Sequence, residues 1–160
     1  MRGDTTFPLR LRFTKRGPVR FISHRDVARA FERAFRILQL PLAFTEGFVP
    51  RPRVSFGLAL SVGYESDAEY LDVALAEPIP LDRTGPELSG ALPAGIDVTG
   101  VGVLTDRAPA LQEAVTAAAY RVTVAGPSTA DELASTVAAA LDRAELLTVR
   151  IRKGREITED

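Results

Sequence analysis

Pro18-Val-Arg-Phe-Ile-Ser-His-Arg-Asp26 and the run after it, Val-Ala-Arg-Ala-Phe-Glu-Arg-Ala-Phe-Arg-Ile-Leu38, decide how the chain folds. Ser23 with Asp26 three residues on has the spacing of a capping box, in which a hydroxyl and a carboxylate satisfy backbone N–H groups that a helix start leaves unpaired. The spacing predicts a helix from His24 to about Leu38. At about 100° per residue, Val27, Phe31, Ala34, Phe35 and Leu38 share one arc, and Arg25, Arg29, Arg33 and Arg36 share a narrow arc opposite it. One face is therefore core and the other is arginine. Solvated helix faces usually mix both signs of charge, and here only Glu32 lies near the stripe, so it reads as a binding surface for a polyanion.

Outward from that helix, composition narrows the classes. The chain has 160 residues, 46% of them hydrophobic, enough for a real core. It has no cysteine, which excludes disulfides, thiolate metal sites and cysteine nucleophiles. No apolar run reaches membrane-spanning length and no signal peptide or lipidation motif is visible, so a cytoplasmic protein with no membrane contact is expected. The net charge of −1 conceals a polarity: residues 1–56 carry 12 basic against 4 acidic side chains, and residues 57–149 carry 4 against 14. Such a chain can steer a phosphate backbone to one end. The four helix arginines cannot all fold back onto those acids, so an external partner is expected.

The rest of the chain alternates strand and helix patterns. Leu9, Leu11 and Phe13 alternate with Arg10, Arg12 and Thr14, the period of a half-buried strand with a basic outer face. Pro41–Thr45 reads as a second strand, Arg53–Leu60 as a third and Leu71–Leu75 as a fourth, followed by a short helix over Leu81–Leu92 and a strand over Ile96–Leu104. Two prolines and a glycine make Glu46–Pro52 a loop. The order is that of an α+β, ferredoxin-like split β-α-β sandwich with an inserted strand, assigned to residues 1–110. Ala117–Ala125 predicts a strand, a helix capped at Ser128 or Thr129 follows, and Leu147–Arg152 predicts another strand. These form a partial second β-α-β unit over 117–160, whose open edge suits a partner or a second copy of the chain.

Three stretches carry a resemblance: Arg12-Phe-Thr-Lys-Arg-Gly-Pro-Val-Arg-Phe-Ile-Ser-His-Arg-Asp26, Glu46-Gly-Phe-Val-Pro-Arg-Pro-Arg-Val-Ser-Phe-Gly-Leu-Ala-Leu60 and Glu69-Tyr-Leu-Asp72. Over roughly residues 9–110 the chain resembles a bacterial family of radical SAM-associated proteins, a domain of unknown function found alone or attached behind radical SAM enzymes. The family loop reads Gly-Phe-Asn-Pro-His-Pro, and this chain departs from it at Val49 and Arg51. The resemblance implies an accessory role beside a radical SAM enzyme, directed towards RNA. It carries over no catalytic residue.

The residues point the same way. Arg10, Arg12, Lys15 and Arg16, the helix stripe Arg25, Arg29, Arg33 and Arg36, and Arg51 with Arg53 are candidate phosphate contacts, since guanidinium forks match phosphate oxygens. Phe48 either stacks on an unpaired base or plugs the sheet. His24 is the only histidine; a metal-independent RNA endonuclease using it as base is an alternative, but acid–base work normally needs an oriented pair and a first-turn surface residue is the better reading. Glu65, Asp67, Glu69 and Asp72 read as a solvated acidic turn, with no metal and no cofactor expected. The function expected is a non-catalytic domain that binds RNA and presents it to an enzyme. A protein module docking on a radical SAM enzyme without RNA contact is the alternative.

Overall fold

Leu9, Leu11 and Phe13 are each at most 3% exposed, so the alternation in the first strand is one of burial. In a computed structural model that describes residues 6–105, 108–145, 147–152 and 155–159, this strand, β1 (Phe7–Lys15), is central in an antiparallel sheet. It pairs with β3 (Ser66–Leu75) on one side and β4 (Val98–Val103) on the other, and β2 (Val54–Phe56) extends β3, giving the order β2-β3-β1-β4. The register sets Leu11 opposite Leu71 and Val101, and Arg10 opposite Asp72 and Gly102. Leucines therefore share one face and charges the other.

Two helices, α1 (His24–Ile37) and α2 (Leu81–Ala91), complete the core. Val27, Phe31, Ala34 and Phe35 of α1 and Leu88 of α2 cluster with the β1 and β3 side chains. The capping box forms as its spacing predicts: Ser23 Oγ accepts the Asp26 N–H at 3.2 Å, and Asp26 accepts the Ser23 hydroxyl at 2.6 Å and the Ser23 N–H at 3.2 Å. Before α1, a single 3-10 turn, Gly17–Phe21, closes against Gly95, whose carbonyl accepts the Arg16 N–H at 2.8 Å. Gly95 has φ +97°, and a β-carbon there would collide with the Arg16 carbonyl, so only glycine suits this junction.

The sheet's other face is not bare. After β4 the chain forms a single turn, α3 (Leu111–Ala114), which lies near β3. Leu111 is 2% exposed, and Gln112 Nε2 donates to the Phe56 carbonyl at 3.1 Å.

By contact the chain divides into two units, Met1–Ala118 and Ala119–Asp160. In the second, α4 (Ala130–Leu141) starts at a capping box of Thr129 and Glu132, and β5 (Thr148–Arg152) pairs antiparallel with β6 (Arg155–Glu159). The strand expected over 117–125 does not form, so this unit is a helix and a hairpin rather than β-α-β. Its alternating Tyr120, Val122 and Val124 are exposed; alternation signals a strand only where an edge is available to pair with it. In the first unit the expected strand Pro41–Thr45 is reduced to two isolated pairings, Leu42 with Leu75 and Phe44 with Pro52. The strand expected over 53–60 stops at Phe56, beyond which the Gly57 N–H bonds the Tyr70 carbonyl and the chain turns away. No helix among the described residues is long and apolar enough to cross a membrane.

The capping box carries a pH signature. Hydrogen bonds from the Ser23 side chain and then its backbone hold the Asp26 carboxyl below the usual carboxylate range. A depressed folded-state pKa stabilises the fold fully above the unfolded-state value, about 3.9, and that contribution fades as pH falls through the folded one. The stability gap between the wild type and Asp26→Asn, followed by urea unfolding, is expected to narrow as pH falls below about 4. A gap unchanged from neutral pH to the acid limb would contradict this.

Candidate nucleic-acid interface

Because α1 lays its apolar arc on the sheet, its arginines must face outward. Arg25, Arg29, Arg33 and Arg36 are all exposed. Arg29 approaches Asp26 at 3.5 Å; among the described residues no carboxylate comes within 4 Å of Arg25, Arg33 or Arg36. Asp26 is already committed to the helix cap. The outer face of α1 is thus a row of guanidinium groups with little internal neutralisation.

The strand arginines lie elsewhere. Arg10 and Arg12 alternate with the buried Leu9, Leu11 and Phe13, which puts them on the sheet face away from α1, with sheet and helix between the two groups. The candidate phosphate contacts are therefore divided between two faces. Arg10 is also engaged: Nε and Nη2 donate to the two Asp72 carboxylate oxygens at 2.7 and 2.9 Å, and Nη2 reaches the Pro109 carbonyl at 3.1 Å. That fork raises the Arg10 pKa through the Asp72 hydrogen bond and ties the chain after β4 across β1 and β3. Arg16 pairs with Asp67 at 2.7 Å, and Arg20, the basic residue of the 3-10 turn, lies 3.6 Å from Glu65 and 4.7 Å above the Phe21 ring.

Lys15 is the plainest reassignment. Read as a phosphate contact, it is 2% exposed, and its ammonium donates to the Ile22 carbonyl at 3.0 Å and the Arg20 carbonyl at 3.5 Å. It satisfies carbonyls at the end of the 3-10 turn. Arg12, Arg51 and Arg53 are exposed and have no ion pair among the described residues. Phe48 stands fully exposed at a loop tip whose base is held by Thr45 N–H to the Arg51 carbonyl, 2.9 Å, and Arg51 N–H to Thr45 Oγ1, 3.1 Å. It does not plug the sheet.

His24 is half-buried and packs edge-on against Phe56, ring centroids 5.3 Å apart. It shares with Lys15, Glu69 and Tyr70 a cavity of about 10 Å³, room for about one water. Of the four acids read as a solvated turn, Glu65, Asp67 and Asp72 are each within 4 Å of an arginine. Among the described residues no group of three or more His, Asp or Glu side chains could hold a metal ion.

Beside the arginine row runs a groove that local spacing barely signals. It is open, about 540 Å³, and lies between α1 and the end of α2, lined by Arg29, Ala30, Arg33, Ala91, Leu92 and Pro93, with Asp26 at its rim. The one hint in the sequence is Ala30, a small side chain on the α1 surface between two arginines.

Arg10→Ala removes both partners of a half-buried carboxylate and the tie to Pro109. It is expected to destabilise the fold by about 1 to 2 kcal/mol in urea unfolding. An unchanged midpoint would show the fork to be ornamental.

A family model described as an uncharacterized protein conserved in bacteria (DUF2344) matches residues 8–160. No curated protein and no solved structure matches the chain.

Proposed function

We propose that this chain, which belongs to that uncharacterized bacterial family, is a non-catalytic accessory protein that binds RNA through the outer face of α1 and presents it to a separate radical SAM-type enzyme. The observation that carries the reading is the α1 row, four exposed arginines with one weak internal contact, while Arg10 and Arg16 are already paired. Spaced three or four residues apart, they repeat at about 5 Å along the helix, and each guanidinium can fork onto phosphate oxygens. Arg25, Arg29, Arg33 and Arg36 are the primary contacts in this reading. Arg51, Arg53 and Phe48 are secondary ones, Arg12 lies on the sheet face away from α1 and outside this surface, and Arg10, Lys15 and Arg16 serve the fold. The link to a radical SAM enzyme rests on the sequence resemblance alone.

A second reading, a module docking on such an enzyme without RNA, draws on the outer edge of β4, which pairs only with β1 among the described strands. Co-purification of the enzyme from nuclease-treated extract, with no RNA retained by the chain, selects that reading.

The direct test reverses charge where it matters. Arg29→Glu with Arg33→Glu is expected to abolish RNA binding in a filter or anisotropy assay while leaving the unfolding midpoint near that of the wild type. Undiminished binding by the double variant, or none by the wild type at low salt, removes the proposal.

A further inference from the structure

The groove beside the arginine row has opposite chemistry on its two sides. On the α1 side stand Arg29 and Arg33. On the α2 side the helix ends with no basic residue in its last turn, and no backbone N–H among the described residues meets the Gly90 or Ala91 carbonyl. The negative end of that helix dipole therefore borders the groove. Between them the floor is apolar, made by Ala30, Ala91, Leu92 and Pro93.

We infer that this groove seats an unpaired nucleotide, so that the RNA bound by α1 is single-stranded. This rests on the RNA reading above and deepens it. The anion belongs on Arg29 and Arg33. A flat ring belongs on the apolar floor, and its N–H edge faces the helix carbonyls. A base held inside a duplex offers neither its face nor its pairing edge, whereas an unpaired base offers both. A carboxylate side chain of an acidic protein would satisfy the arginines but leave the floor and the carbonyl edge unused. Charge, floor and carbonyl edge together favour the nucleotide. Asp26 does not disturb this, because its carboxylate is held by Ser23 and Arg29.

The test uses the full chain and three probes: a mixed-sequence single-stranded RNA of about 12 nucleotides, within the site size of single-strand binders, the same sequence as a duplex, and poly-glutamate. The single strand is expected to bind about tenfold more tightly than the duplex, the worth of roughly one seated base. Ala30→Leu fills the groove without changing charge and is expected to lower single-strand affinity about fivefold, more than it lowers duplex affinity. Pro93→Glu, an exposed position, provides a second variant with the same expected direction. Equal binding of strand and duplex, or full affinity in both variants while Arg29→Glu with Arg33→Glu still abolishes binding, overturns the groove and leaves the RNA reading standing. No RNA bound at low salt overturns both. Poly-glutamate bound in preference to RNA makes the partner a protein and overturns both.

Discussion

Phe31 is fully buried and is the point on which the first unit turns. Its ring meets Phe13 of β1 edge-on at 4.8 Å, Phe35 one turn along α1 at 5.9 Å, and Phe56 of β2 at 5.9 Å. Aromatic contacts of this kind add to the stabilisation from area buried and fix orientation as well as proximity. With Phe31 in that position α1 has one rotation available to it. Val27, Ala34 and Phe35 go inward, and four arginines go to water. The surface chemistry is a consequence of the core.

The same constraint divides the basic residues. A sheet has two faces, and β1 places its leucines under the helices only by placing Arg10 and Arg12 on the other side. There Arg10 meets Asp72 of β3, and the fork becomes a structural tie that holds the chain after β4. Charge polarity along the sequence thus resolves into two parts. Some of the amino-terminal arginines neutralise the later acids, and the α1 row does not. A count of charges cannot tell these apart, because the distinction rests on register.

Much of this was legible in the residues. The capping box at Ser23, the burial pattern of α1, the alternation in β1 and the α+β class all follow from local spacing, and each is present. Weaker signals failed where they depended on partners. Tyr120, Val122 and Val124 have the period of a strand and pair with no strand among the described residues, while β6, over Arg155–Glu159, contains one apolar residue and needed its hairpin partner to be recognised. Lys15 looked like a surface charge because nothing in the sequence reveals that the 3-10 turn folds back over it. The groove needed two helices to come side by side, and only Ala30, small where its neighbours are large, hinted at it.

In the reading proposed above, the guanidinium row on α1 binds a phosphate backbone. Each phosphate neutralised on a single strand contributes about −0.7 to the slope of log affinity against log salt, so four arginines engaged together give a slope of about −3. Titrating the chain with a fluorescent single-stranded RNA across a range of salt concentrations measures that slope directly. A slope near −3 is expected. Binding indifferent to salt, or no binding at the lowest salt, would contradict it.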